Sequence, residues 1–214
     1  MNPTAVICNQ SFELLPQKAI FWREQRALVL SDLHLGKSAH FRKSGIAIPK
    51  KANEEILWTL SDLILKHQPK QVLIIGDLFH SSINNEWHEF VDFRMNVKEV
   101  EFRLILGNHD TFNLDLLKEA GILVEKSYTL DEITFVHDPE DAPEEGYAIS
   151  GHIHPAVRMK GKGKQSVRLA CFCFGKSQGL LPSFGYFTGN HTIKPKKSDQ
   201  VFVTTGSEVI EVNL

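Results

Sequence analysis

Five short runs of oxygen and nitrogen donors stand out in the 214 residues: Asp32-x-His34, Gly76-Asp77, Gly107-Asn108-His109-Asp110, His137 and Gly151-His152-x-His154. Carboxylates, imidazoles and an amide are the groups that ligate divalent transition metals. Any one run taken alone reads as a helix cap or a surface residue. Five such clusters, each after an apolar β-like run, share no such explanation, and together they point to a metal centre.

The elements that must carry these donors are legible from periodicity. Residues 27–31, Ala-Leu-Val-Leu-Ser, read as a fully buried strand ending at Asp32, after two shorter apolar segments at 12–15 and 19–22. From Pro49 the pattern is helical, with Ile56, Leu57, Leu60, Leu63 and Ile64 on one face and Pro69 past the end. A second strand, 71–75, ends at Gly76-Asp77, and a helix follows over 84–100 with Trp87, Phe90, Val91 and Val97 on one side. A third strand, 102–106, ends at Gly107-Asn108, and a short helix from Asn113 stops at Gly121. Ligands of an open α/β sheet gather beyond the carboxyl ends of its strands, so these distant clusters are expected to meet in space. After residue 122 the texture turns to β, with runs at 133–136, 147–150, 156–159, 166–174 and 201–205. The expectation is a single domain over 1–214, an α/β sandwich of two sheets with a β-rich second half.

Composition bounds the setting. With 42% hydrophobic and 23% charged residues, the chain has the make-up of a soluble globular protein with one sizeable core. No stretch approaches the roughly 18 apolar residues that cross a bilayer, and no export signal opens the chain, so a cytoplasmic protein is expected. The three cysteines, Cys8, Cys171 and Cys173, are too few and wrongly spaced for a disulfide framework. Cys171 and Cys173 could share one strand face as a two-thiol metal site, and small buried hydrophobes are the better reading.

Charge is unevenly placed. Residues 155–198 contain no Asp or Glu but nine Lys and Arg, leaving 15 Lys and Arg against 26 Asp and Glu elsewhere, a net of −11. That polarity suggests an anionic partner or substrate, beside the plainer reading of solvated strands and loops. Arg158, Lys160, Lys162 and Lys164 follow His154 directly, so they are expected to extend a positive surface beyond the metal centre.

The ordered set D-x-H, G-D, G-N-H-D, H, G-H-x-H over positions 32–154 resembles the calcineurin-like metallophosphoesterase superfamily. The resemblance implies a four-layer α/β/β/α sandwich of two mixed sheets flanked by helices. It further implies that Asp32, His34 and His154 hold one metal, that Asn108, His137 and His152 hold the other, and that Asp77 bridges both. His109 would stay free to contact the phosphate and protonate the leaving oxygen, with Asp110 orienting its ring.

Physical chemistry supports that picture. Two divalent cations roughly 3.5–4 Å apart clamp a phosphoryl group and generate hydroxide from a bridging water at neutral pH. Two cations, two carboxylates and one hydroxide leave a net charge of about +1, which attracts a phosphate. Four imidazoles, two carboxylates and an amide favour Mn, Fe, Co or Zn over Mg or Ca. The resemblance tilts towards Mn(II), and affinity order alone towards Zn(II).

Further motifs, Ser31-Asp-Leu-His-Leu-Gly-Lys37, Phe41-Arg-Lys-Ser-Gly-Ile-Ala-Ile-Pro49, Gly76-Asp-Leu-Phe-His-Ser81 and Leu181-Pro-Ser-Phe-Gly-Tyr-Phe-Thr-Gly189, resemble a bacterial and archaeal subgroup of ligase-associated DNA damage response endonucleases. The subgroup implies nucleic acid as substrate and DNA-ligase-associated repair proteins as partners. His80 stands where the double-strand-break repair nucleases of the superfamily carry Asp. Arg42 and His80 are therefore expected to contact substrate, and Lys37 is a weaker candidate. A small-molecule phosphodiesterase or nucleotide pyrophosphatase is the second enzyme reading. A catalytically dead scaffold is the third, and it is disfavoured because every ligand position holds a competent residue.

Overall fold

The first sheet opens as an antiparallel meander of β1 (Thr4–Ile7), β2 (Gln10–Leu15), β3 (Ala19–Trp22) and β4 (Ala27–Ser31). It continues with β5 (Gln71–Ile75), β6 (Glu101–Ile105) and β7 (Ile122–Glu125), all parallel to β4, so seven strands lie side by side in chain order. Parallel neighbours need crossovers. These are α1 (Ala52–His67), α2 (Asn85–Asn96) and α3 (Leu114–Glu119). The computed structural model describes residues 2–37, 52–80, 85–111, 113–161, 163, 165–186 and 188–213.

Sequence periodicity accounts for the packing. Along β4, Leu28 and Leu30 face the helices while Ala27 and Val29 face the second sheet. The α1 stripe of Ile56, Leu57, Leu60, Leu63 and Ile64 buries itself against the first of these faces. Glu54 and Glu55 in its first turn and Lys66 in its last agree with the helix dipole. α2 ends at Asn96, short of the expected 100, because Arg94 caps Val97 O and the chain tightens into i+3 turns at Val97 and Val100.

The second sheet runs β14 (His191–Thr192), β11 (Pro155–Lys160), β12 (Ser166–Phe174), β13 (Gln178–Leu180), β10 (Tyr147–Ser150), β9 (Ile133–Val136), β8 (Ser127–Leu130). β15 (Gln200–Thr204) pairs with β12 and with β16 (Val209–Val212). β12 serves two neighbourhoods. Its residues 166–170 pair with β11, and its residues 171–174 pair with β15, the last two also meeting β13. Between the sheets lies an aromatic core that includes Phe12, Trp22, Phe135, Phe172, Phe174 and Phe202.

Two mixed sheets flanked by helices are thus observed, with one qualification of the four-layer expectation. The α-helices among the described residues pack on the first sheet. The outer face of the second carries a small cluster of Val157, Cys171, Cys173, Val201 and Val203, and β15–β16 take part in it. Cys171 and Cys173 are buried there, and burial pushes their thiols up to about 12 and about 11, so they act as hydrophobes. No described helix is long and apolar enough to cross a membrane.

Phe172 is fully buried in the aromatic core and stacks near Phe174. Phe172→Ala is expected to cost about 3–5 kcal/mol of stability, read as a lower urea midpoint at unchanged slope. A loss under about 1 kcal/mol would mean that the two sheets do not depend on this contact.

Candidate metal centre

Each donor sits one to four residues past a strand end. Asp32 and His34 follow β4, Asp77 follows β5, Asn108 follows β6, His137 follows β9, and His152 and His154 follow β10. The first three groups belong to one sheet and the last two to the other, so the site closes the seam where both sheets end. Asp32, His34, Asp77 and His137 are buried, His152 and His154 are half-buried, and Asn108 is exposed. The result is a sealed floor with an open mouth.

The seven donors fall into two lobes that share Asp77. His34 Nε2 is 3.6 Å from Asp77 Oδ2, and His154 Nε2 is 3.2 Å from Asp32 Oδ1. On the other side, His137 Nε2 lies 3.6 Å from Asp77 Oδ1, 3.1 Å from Asn108 Oδ1 and 3.1 Å from His152 Nδ1. Asp32, His34 and His154 offer ligand atoms within 4.8 Å of one another, as do Asp32, Asp77 and His137.

The tautomers make these contacts informative. A carbonyl only accepts, so His154 Nδ1, 2.9 Å from Gly189 O, carries a proton and turns Nε2 towards Asp32. His137 has carbonyl oxygens near both ring nitrogens, Ile75 O at 3.3 Å from Nδ1 and Asn108 Oδ1 at 3.1 Å from Nε2. Asp138 lies 3.7 Å from His152 Nε2, on the side of the ring away from His137. Both ring nitrogens of His34 are buried without a hydrogen-bond partner, a cost of about 1–3 kcal/mol each. A divalent cation would take up the Nε2 lone pair and offset the buried carboxylates beside it, so the donor set fits a metal.

Local backbone explains how such short loops aim so many donors inward. Asp32, His34, Asp77, His152 and His154 all have left-handed φ, between 48° and 61°. A left-handed residue after a strand turns the chain back on itself, and each costs of order 1–3 kcal/mol that the surroundings must hold. The loops lock together across the sheet: Asp32 N–H donates to Gly76 O at 3.2 Å, and His34 N–H to Asp77 O at 2.9 Å. Two glycines of the motifs are required by close approach. A Cβ on Gly76 would collide with the His137 ring, and one on Gly107 would collide with the Asp77 carboxylate.

Asp110 is engaged by the backbone of two loops. Its carboxylate accepts three backbone amides, from Asp77 (2.8 Å), Leu78 (3.0 Å) and Gly107 (2.9 Å). Both oxygens thus tie the β5 loop to the β6 loop, and no hydrogen bond from the His109 ring to Asp110 is present among the described residues. Burial, reinforced by Asp77, pushes its carboxyl up to about 6 against the amides that lower it. Among the neighbouring groups, burial with Lys37 nearby holds His34 down at about 3, which keeps it neutral. Burial raises the Asp32 carboxyl, but His154 and His137 outweigh it and hold the pKa low.

His109 donates its own amide to Asp77 Oδ1 at 2.9 Å while its ring stands over the rim, 5.4 Å from His34 and 5.3 Å from His80 between centroids. His80 is 5.7 Å from His34. Lys37 is half-buried near the same rim, and burial lowers its pKa against the pull of Asp77 and Asp32. Arg42 lies outside the described residues. The residues not foreseen are Asp138, Ser183 and Gly189. Ser183 Oγ donates to Asp32 O at 2.8 Å, and Gly185 N–H donates to the same carbonyl at 3.1 Å, so the 181–189 motif braces the Asp32 loop from a distance of about 150 residues in sequence.

The family model described as calcineurin-like phosphoesterase matches residues 25–154. Among solved structures, the chain is similar to the Pseudomonas putida nuclease MPE, with 28% identity and a TM-score of 0.84 over 99% of this chain and 100% of that one. It is more distantly similar to Yfce, a phosphoesterase from E. coli, with 14% identity and a TM-score of 0.45 over 87% of this chain and 98% of that one. No curated protein sequence matches it.

Asp110→Ala strands three amides and is expected to cost about 3 kcal/mol or more, since each buried unsatisfied donor costs about 1–3. Chemical denaturation checks this. An unchanged midpoint with lost turnover would instead favour a role at the His109 ring. Gly76→Ala should displace His137 and destabilise by about 1–3 kcal/mol from left-handed strain alone, read by thermal unfolding.

Proposed function

The chain belongs to the calcineurin-like phosphoesterases, hydrolases of phosphoester bonds that depend on divalent metal ions, and from that premise we propose that its substrate is a phosphodiester of nucleic acid. The observation that carries the dinuclear part of this reading is the split of the Asp77 carboxylate, one oxygen towards His34 and the other towards His137. Nucleic acid is supported by the similarity over nearly the whole chain to a protein described as a nuclease, and by the acid-free stretch 155–198.

In this reading Asp32, His34 and His154 would hold one ion, Asn108, His137 and His152 would hold the other, and Asp77 would serve both; Mn(II) is the proposed metal. Divalent ions bound there supply Lewis-acid polarisation of the phosphoryl oxygens and acidify water at neutral pH. The remaining work belongs to the protein. His109 has its backbone amide committed to Asp77 and its ring left at the rim, which suits it to meet the phosphate and give a proton to the leaving oxygen. His80 stands beside it as a second imidazole donor, and Arg42 is a further candidate for the phosphate. The buried floor keeps the ligand carboxylates out of bulk water, which strengthens their attraction for cations. The cytoplasm is the proposed compartment, supported by three free cysteines.

Metal analysis after reconstitution in excess Mn(II) is expected to give two ions per chain, and Asp77→Ala should abolish both bridging and activity. One ion or none in the wild type would overturn the dinuclear assignment. His109→Ala should keep both ions and lose roughly 10² or more in turnover. The substrate is tested by comparing DNA, RNA, a small chromogenic diester and a chromogenic monoester with Mn(II). Efficient monoester hydrolysis with no cleavage of either nucleic acid would overturn the proposed substrate.

A further inference from the structure

The β11–β12 hairpin projects past the edge of the sandwich on the side where the metal donors lie. Strand directions establish this: β13 is parallel to β10, β12 is antiparallel to β13, and β11 is antiparallel to β12, so β11 runs the same way as β10. The register puts Ser150, Leu180 and Cys173 at one level. Just past Ser150 come His152 and His154. β12 continues beyond that level from Phe172 back to Ser166, and β11 runs alongside it from Pro155 to Lys160. The hairpin is therefore a wall rising beside the mouth of the site.

Its two faces differ. Val157 and Cys171 lie in the outer cluster, with Met159 and Leu169 packed against it. By strand alternation, Arg158, Lys160 and Arg168 lie on the opposite face, which Phe172 and Phe174 continue into the core between the sheets. Along β12 this inner face reads Phe174, Phe172, Ala170, Arg168: two buried rings, a buried small residue, then an exposed arginine. The face that glues the sheets together becomes cationic where it leaves the sandwich. Arg158 is four residues beyond His154, roughly 13 Å along the strand at about 3.3 Å per residue.

One pairing has no internal explanation. Arg158 and Arg168 are directly opposed across the ladder, and like charges so placed destabilise a sheet. No acidic residue occurs from 155 to 198, and no ion pair to Arg158, Lys160 or Arg168 is present among the described residues. Two exposed, uncompensated arginines held side by side suit a ligand with repeated negative charges.

We infer that the inner face of this hairpin, through Arg158, Arg168 and Lys160, is a track for the sugar–phosphate backbone of a nucleic-acid strand whose scissile phosphate sits at the metal centre. This rests on the nucleic-acid reading above and adds the surface that would carry the strand. Lys162 and Lys164 lie outside the described residues and form no part of it. Contacts this far from the metals position the strand and leave a small diester untouched.

The test compares the metal-loaded wild type with Arg158→Gln/Arg168→Gln and the charge-keeping Arg158→Lys/Arg168→Lys. Cleavage of a DNA duplex and of bis-p-nitrophenyl phosphate is followed at several salt concentrations, and anisotropy of a labelled duplex reports binding. The glutamine pair should weaken duplex binding about tenfold or more near 0.1 M salt. It should also flatten the slope of log K against log salt by about 1.8, at about 0.9 per phosphate contact. The lysine pair should retain the slope, and all three proteins should hydrolyse the small diester equally. Duplex binding by the glutamine pair equal to wild type overturns the inference, as does an equal loss on both substrates. Loss of binding to phosphatidylserine vesicles with duplex binding intact would overturn it in favour of a membrane surface. A wild type that hydrolyses the small diester but neither binds nor cuts DNA or RNA would overturn the nucleic-acid reading itself, a result separable from failure of the hairpin alone.

Discussion

Two carboxylates, Asp32 and Asp77, are 0% and 2% exposed, and the ion pairs that reach them among the described residues come from histidines. A buried charge of that kind is costly unless something positive faces it. The histidine rings that face these carboxylates turn further potential ligand atoms towards the same point. The whole arrangement makes sense around cations, and the surrounding geometry serves to keep those two carboxylates and four rings converged.

That convergence is held by backbone rather than by side chains. Strand-end loops interlock through amides, five donors accept left-handed turns, and the glycines at 76 and 107 let rings and carboxylates come within reach of neighbouring main chain. Asp110 ties two of the loops from below with both its oxygens, and Ser183 and Gly185 hold the first from behind. Strain of this size persists only because the helix-covered face and the aromatic inter-sheet core anchor every strand that feeds the site. Stability is concentrated in the sheets, and geometry useful for chemistry is concentrated at their ends.

The two sheets contribute unequally. The first, with its parallel strands and crossover helices, brings in both carboxylates, His34 and Asn108. The second brings in the remaining three imidazoles and then continues past the site as a hairpin whose inner face turns from aromatic to cationic. Both carboxylates of the site thus come from the first sheet, while the exposed arginines beside it come from the second.

The sequence by itself determined the candidate donors, the strands and helices of the first half, and the β character of the second. Those signals are local: apolar runs such as 71–75 end on polar residues, and the α1 stripe recurs at helical spacing. Tertiary structure alone decided what each neighbour of the donors does. Asp110 adjoins His109 in sequence but ties down backbone, because a carboxylate finds its partners in space: two amides of the β5 loop and one of its own loop donate to it. Gly189 orients His154 from 35 residues away, and Asp138 approaches His152 from the end of the adjacent strand, contacts that no spacing rule encodes. The basic stretch after His154 was visible as composition. Which of its charges share a face, and that this face overhangs the site, follow only from the register of β11 on β12, because strand alternation has no meaning until the partner and the core are known.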